Sequence, residues 1–283
     1  MYSSRTIKMY LAEGIPTGIK IIELVGWVGK GFIIPRNSIK EALKREELKY
    51  PSVYFLIGKD ENNEDMVYVG ESENFSERIL DHQRKKDFWN TAICFISAND
   101  FLHKGNIKYL ESILIREIQK VDRVCIDLGK NSAKPHLSES EEADILSFAE
   151  YLKIILSAIG FIFLKKATDE PAEKEELYYC SGKGVRATGI PTTEGFVTLK
   201  GSVVSSKEAQ AIFGRLASIT RFQVLQSSKV RKTDEGNYEL LDDLTFSSPS
   251  HAAVFVLGTS INGWKAWKNK AGKTLDEVKR QNI

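Results

Sequence analysis

The sequence predicts an α+β chain of two domains. The first is a small antiparallel β-sheet flanked by helices with a β-rich N-terminal extension, and the second is another α+β unit. Three observations carry this expectation. Two runs of strand composition, SVYFLIG at 52–58 and VYVGES at 67–72, stand on either side of an acidic turn. Two helical patterns follow them, one opening at Asn74 and one in NIKYLESILIREIQKV at 106–121. Residues 165–176, KKATDEPAEKEE, are almost all charged or small and include a proline, so they cannot bury apolar area and read as a linker.

Taken in order, residues 1–48 hold three β-branched runs, TIKMYL, GIKIIELV and GKGFIIP, broken by Gly14, Pro16, Gly18 and Gly29, and then a helix over Ser38 to Glu47. Residues 49–164 form the main domain. In its hairpin the turn KDENNED centres on Asn62 and Asn63, and pairing about Glu61 sets Tyr54 directly opposite Tyr68 on one face. Asn74 with Glu77 makes a capping-box-like start for a helix from Phe75 to Lys86. FWNTAICFIS at 88–97 supplies a third strand, and residues 138–159 open with a Ser138 cap and become a core-packed helix closing the domain. Residues 177–283 make the second domain.

Composition permits a two-domain protein of 283 residues with 42% hydrophobic content but names no function. The charge balance, 40 basic against 38 acidic residues, is no nucleic-acid signature in itself. It is uneven, however: residues 177–283 carry 15 basic and 9 acidic groups, which makes them the better polyanion binder. Cys94, Cys125 and Cys180 are odd in number and widely spaced, indicating neither a disulfide framework nor a zinc site. With no signal-peptide core and no apolar run long enough for a bilayer, the expectation is a soluble cytoplasmic protein.

The chemistry-bearing residues cluster around the hairpin. A cross-strand tyrosine pair is ordinary sheet packing on its own. Arg78 and His82 share a helix face with Phe75 and Ile79, so both are expected to turn toward the sheet, where a guanidinium can fork onto a phosphate. Glu111 sits at the edge of the apolar stripe Ile107, Leu110, Leu114, Ile118 and Val121. A carboxylate there needs a metal ion or an arginine partner, and Mg²⁺ takes such oxygen ligands. The competing reading is a plain salt bridge to Arg78.

This ordered set (S-V-Y, Y-V-G-E-S, an R-x-x-x-H helix and a glutamate on the next long helix) resembles the GIY-YIG nuclease family over about residues 50–135, with Ser52 where the family often has glycine and Val53 and Val69 in place of isoleucine. The resemblance implies a Mg²⁺- or Mn²⁺-dependent endonuclease. Tyr54 corresponds to the general base or a relay to it, Tyr68 to its orienting partner, Arg78 to the transition-state stabiliser, His82 to an assistant in proton transfer and Glu111 to the single metal ligand. Asn131 stands for an asparagine found beyond the glutamate helix in some members.

In the second domain, GFVTLKGSVVSS at 195–206 and FSSPSHAAVFVLGTSINGWKAWKNKAGKTL at 246–275 resemble a domain of unknown function that often follows such nucleases, and a restriction-associated module proposed to read DNA. Ser248, Pro249 and Ser250 cap a helix at His251, whose N-terminus is a phosphate site in waiting. Lys265 and Lys268 interleave with Trp264 and Trp267 as charge and stacking surfaces, although tryptophans in such a pattern also serve as core plugs. The expected partner is DNA, with RNA left open because no RNA-recognition signature is present. One nuclease module makes one active centre, so double-strand cleavage requires a homodimer or two nicks. The competing reading is a non-cleaving nucleic-acid binding protein on a nuclease scaffold.

Overall fold

The computed structural model describes residues 4–99, 101–129, 135–165, 176–182, 184–214 and 216–281. It is a mixed α+β structure with eight α-helices among the described residues. The chain divides into two compact units, Met1–Lys165 and Lys166–Ile283. No helix among the described residues is long and apolar enough to cross a membrane.

The first unit is built on one seven-stranded sheet, larger than the three-stranded sheet expected around the hairpin. Its strands are β1 (Ile7–Leu11), β2 (Lys20–Leu24), β3 (Gly29–Pro35), β4 (Ser52–Lys59), β5 (Asp65–Ser72), β6 (Trp89–Ser97) and β7 (Cys125–Ile126), in the spatial order β1-β2-β3-β6-β4-β5-β7. All neighbours are antiparallel except β5 and β7. The N-terminal β runs therefore extend the same sheet: β3 pairs with β6 along seven residues, which covers what would otherwise be an exposed edge.

The helices of this unit are α1 (Ile39–Ala42), α2 (Phe75–Lys85), α3 (Lys104–Val121) and α4 (Glu139–Ala158). The helix expected over Ser38 to Glu47 is shorter than its pattern, since α1 spans one turn between 3-10 turns at Arg36–Ser38 and Glu46–Lys49. Asn74 caps α2 by accepting from the Glu77 backbone, and Ser138 caps α4 in a full capping box. Alternation along the strands sorts the two cores. Val53, Phe55, Val67 and Val69 face α3 and α4 with Leu110, Leu114 and Leu152, whereas Tyr54, Leu56 and Tyr68 face α2 with Phe75 and Ile79.

Arg36 fixes the far end of α2. Its guanidinium donates to the carbonyls of Gln83, Lys86, Asp87 and Trp89 and stacks on the Trp89 ring at 4.7 Å. Gln83 and Lys86 carry carbonyls that a helix C-terminus leaves unpaired, Asp87 and Trp89 belong to the chain leading into β6, and no glycine cap is present to turn the chain instead.

The second unit contains β8 (Tyr178–Gly182), β9 (Val185–Thr192), β10 (Gly195–Thr198), β11 (Val203–Val204), β12 (Val230–Lys232), β13 (Tyr238–Leu240) and β14 (Leu244–Phe246). They make a four-stranded sheet, β14-β10-β9-β8, and a three-stranded sheet, β11-β13-β12, both antiparallel. Its helices are α5 (Leu216–Leu225), α6 (Pro249–Leu257), α7 (Gly263–Ala266) and α8 (Leu275–Lys279), and α6 is buried against the four-stranded sheet.

Candidate active site

The hairpin register decides where the two phenols meet. Lys59 pairs with Asp65, so the loop is the five residues 60–64, closed by the Asp60 amide donating to Glu64 O at 2.9 Å. Its centre is Asn62 rather than Glu61. Tyr54 consequently lies opposite Gly70, and Tyr68 lies opposite Leu56, so the directly facing pair expected from sequence is corrected to a diagonal one. The offset is two residues, an even number, so both rings stay on the same face, with centroids 6.2 Å apart.

Gly70 makes this arrangement possible. A Cβ at this position would lie 2.4 Å from the Tyr54 hydroxyl oxygen, 2.5 Å from Tyr54 Cζ and 2.8 Å from Tyr68 Cε1. With glycine there, the Tyr54 ring crosses the neighbouring strand and its hydroxyl reaches α2. It sits 2.8 Å from His82 Nε2, and Arg78 Nε donates to it at 3.3 Å. Because this oxygen accepts from Arg78, we assign its hydrogen to His82 Nε2, which puts the imidazole proton on Nδ1. Tyr68 completes the cluster, with its ring centroid 5.0 Å from that of His82 and Lys86 Nζ 4.5 Å above it.

Electrostatics keep both partners of this contact neutral. Burial, followed by the Arg78 and Lys86 cations, holds His82 down at about 4, so it is a neutral acceptor at physiological pH. Burial and Tyr68 push Tyr54 well above the ordinary phenol range against the opposing pull of Arg78, so Tyr54 remains a protonated hydroxyl. Arg78 is raised further still by its bond to Tyr54 and stays cationic throughout.

Exposure differs from the sequence expectation at Arg78. His82 is buried as anticipated, but Arg78 is exposed, with its Nε bonded to the Tyr54 hydroxyl. Ser76, next to Phe75 in α2, is buried as well. Tyr54 itself is fully buried at 0% exposure, behind Arg78, and Tyr68 is 7% exposed.

Glu111 arrives from the other face of the sheet. α3 packs on β5, and Glu111 comes to the C-terminal end of that strand, within the field of Glu71, Arg78 and Lys108. Burial and the Glu71 carboxylate push Glu111 up to about 7, against weaker pulls from the Glu71 backbone amide, Arg78 and Lys108. Among the described residues no ion pair joins Glu111 to Arg78 or to any other cation, so the plain salt bridge is not formed. A half-buried carboxylate raised by burial and by a second carboxylate, with no cation in contact, is a donor set that suits a hard divalent ion such as Mg²⁺.

Glu71 and Gly70 escaped the sequence reading, although both lie within the quoted VYVGES run. Strand parity was the available signal: Tyr68 and Gly70 face α2, so Glu71 must face α3, where Glu111 comes down. Asn131 lies outside the described residues.

In the second unit the SPS and NGW segments hold each other. Ser248 accepts from the His251 amide, Ser250 Oγ accepts from the Gly263 amide at 3.1 Å, and Trp267 Nε1 donates to Pro249 O at 3.0 Å. Gly263 approaches so closely that a Cβ would sit 2.2 Å from Pro249 O. Trp267 is therefore corrected from a stacking surface to a core residue: it is 0% exposed and packs on Phe196 at 4.4 Å, which leaves no ring face for a base. Lys265 and Lys268 are exposed, and the Trp264 ring carries the Arg280 guanidinium at 3.6 Å.

Residues 178–279, which lie within this second unit, match the family model described as a domain of unknown function, DUF4357. No curated protein and no solved structure matches the chain.

Proposed function

We propose that the protein is a divalent-metal-dependent endonuclease of the GIY-YIG type that hydrolyses DNA phosphodiesters, with the second unit holding or selecting the nucleic acid. The observation that carries this reading is the Tyr54 hydroxyl set between a neutral His82, 2.8 Å away, and the Arg78 Nε, 3.3 Å away. An acid on the adjacent helix ends at the same strand terminus.

The proposed chemistry follows from those contacts. Arg78 is held by a long hydrogen bond to Tyr54, and its exposed guanidinium can fork onto a phosphate. Turning onto that phosphate uncovers the Tyr54 oxygen, which then accepts a proton from the attacking water as its own passes to His82 Nε2. The incoming phosphate also offsets the Arg78 and Lys86 charges that, after burial, disfavour a proton on His82, so substrate strengthens the acceptor. Tyr54 acts as a relay in this scheme and never has to exist as a free phenolate. Glu111 would hold the divalent cation, which when bound supplies Lewis-acid stabilisation of the phosphate charge.

The test is incubation of supercoiled plasmid DNA with Mg²⁺ or Mn²⁺, beside Glu111→Ala and Arg78→Ala. The proposal expects metal-dependent nicking that both variants lose. Retained DNA binding with no nicking by the wild-type protein would favour the non-cleaving reader.

A further inference from the structure

We infer that the outer edge of β1 is a self-association surface, on which a second copy of this chain lays its own β1 antiparallel about a two-fold axis at Met9. The inference is independent of the hydrolase reading. β1 ends the seven-stranded sheet, and its register with β2 runs without a shift through all five residues, from Ile7–Leu24 to Leu11–Lys20. Natural sheet edges are blunted by bulges, prolines or extreme shortness. The opposite edge, β7, is two residues long, whereas IKMYL has no bulge, no proline and one charged residue. Met9, Tyr10, Ile15, Val25 and Val28 are all exposed large hydrophobics, and they lie on β1 or in the turns at either end of β2. The edge is therefore apolar as well as unpaired.

Hydrogen-bond parity fixes what this edge offers. The Val25 amide donates to Thr6 O and the Ala12 amide to Ile19 O, so the even-numbered residues of this stretch bond β2, and the N–H and C=O groups of Ile7, Met9 and Leu11 point outward. Leu11 O also accepts from the Gly14 amide at 3.1 Å and keeps a second lone pair. A two-fold at Met9 sets Met9 against the second copy's Met9 and Ile7 against its Leu11, each as a pair exchanging hydrogen bonds. Between these pairs Lys8 meets the exposed Tyr10 ring. At each end the exposed Arg5 of one copy aligns with the exposed Glu13 of the other, so opposite charges meet.

Charge and length select this register. A slide that pairs Ile7 with Met9 would set Lys8 opposite Lys8, and like charges facing across strands are destabilising. The opposite slide, pairing Met9 with Leu11, would leave Ile7 and Lys8 facing residues outside the strand. The two-fold at Met9 stands perpendicular to the sheet, so every side chain keeps its face. The Tyr54 clusters of both copies then lie on the same side of one continuous sheet.

The experiment is sedimentation velocity on the full-length protein over a concentration series, with a thermal melt of every variant. Wild type is expected to dimerise as concentration rises. Met9→Pro removes an outward N–H without touching a β1–β2 bond, and an edge strand accepts proline at such a position. The two-fold makes the change count twice, so the dimer Kd should rise at least about tenfold. Glu13→Arg alone and Arg5→Glu alone each set like charges at both ends and should weaken the dimer, whereas an equimolar mixture of the two restores opposite pairs and should dimerise. Met9→Cys should form an intermolecular disulfide on mild oxidation, because hydrogen-bonded antiparallel partners have Cα atoms about 5.5 Å apart, within disulfide reach. Wild type, with Cys94 and Cys180 buried and Cys125 half-buried, controls for the native thiols.

A wild type that stays monomeric across the series would overturn the inference. So would a dimer that folded Met9→Pro leaves at the wild-type Kd, a mixture of the charge variants that dimerises no better than either alone, or no disulfide in Met9→Cys. Where Met9→Pro fails to fold, the charge mixture and the disulfide decide, and failure of either overturns it.

Discussion

Gly70→Ala isolates the packing that builds the site. The added methyl would sit 2.4 Å from the Tyr54 hydroxyl oxygen, 2.5 Å from Tyr54 Cζ and 2.8 Å from Tyr68 Cε1, whereas comfortable carbon contacts lie at about 3.5–4.0 Å. Two effects compete. Alanine is intrinsically better than glycine inside a regular element by about 0.5–1 kcal/mol, while overpacking a tight core costs about 1–3 kcal/mol. The clash should win, because Tyr54 has nowhere to retreat: it is fully buried, with the Phe75 ring at 5.2 Å and the His82 ring at 5.6 Å. A net loss of roughly 1–2 kcal/mol is therefore expected in urea unfolding. Any ring shift of about 1 Å also breaks the 2.8 Å contact to His82, so metal-dependent nicking should fall further than stability does. Combining Gly70→Ala with Tyr54→Phe, which removes the nearest atom, should cost less than the sum of the two single changes. A Gly70→Ala protein as stable as wild type, with unchanged nicking, would refute this account of the site.

Glu111 gives a pH prediction whose sign is opposite to that of a paired acid. Its value in the folded protein, about 7, lies above the ordinary 4.5, so the fold favours the protonated form; stability is fullest below about pH 4.5 and declines as pH rises toward 7. In EDTA, Glu111→Gln should be more stable than wild type at pH 8 by roughly 1–2 kcal/mol, after discounting for partial exposure, and the advantage should vanish near pH 4.5 in urea titrations. A pH-independent difference would contradict it. Trp267→Ala should cost about 3–5 kcal/mol of stability, which calorimetry on the full-length chain would register as a lower melting temperature for its second unit. A stable Trp267→Ala protein that only loses DNA affinity would restore the stacking role. The double variant Lys265→Ala/Lys268→Ala should leave melting unchanged and flatten the slope of log K against log salt for DNA binding by about 2. An unaltered slope would remove these lysines from the interface.

The elements around the site were legible because each carries a local signal. The hairpin strands show in their Val, Ile and Tyr content, the α2 start in the Asn74–Glu77 cap, and the α3 stripe in its helical period. Their chemistry was partly legible too, since Arg78 and His82 sit one turn apart on any helix. The joining of the N-terminal runs to the same sheet was not, because strand pairing is non-local and no residue in 7–35 names its partner on β6. Trp267 went astray for a related reason: a tryptophan among lysines looks the same in sequence whether its ring meets a base or Phe196.

What the amino-acid order determined alone was therefore the inventory: two phenols, a guanidinium, an imidazole and an acid, each on an element with its own start and stop. Tertiary structure decided the rest. The loop centre at Asn62 set Tyr54 against Gly70, and the buried Tyr54 hydroxyl took Arg78 and His82 as partners. The landing of α3 on β5 brought Glu111 beside Glu71. These outcomes depend on distances between residues far apart in the chain, set by packing that no local run of side chains encodes.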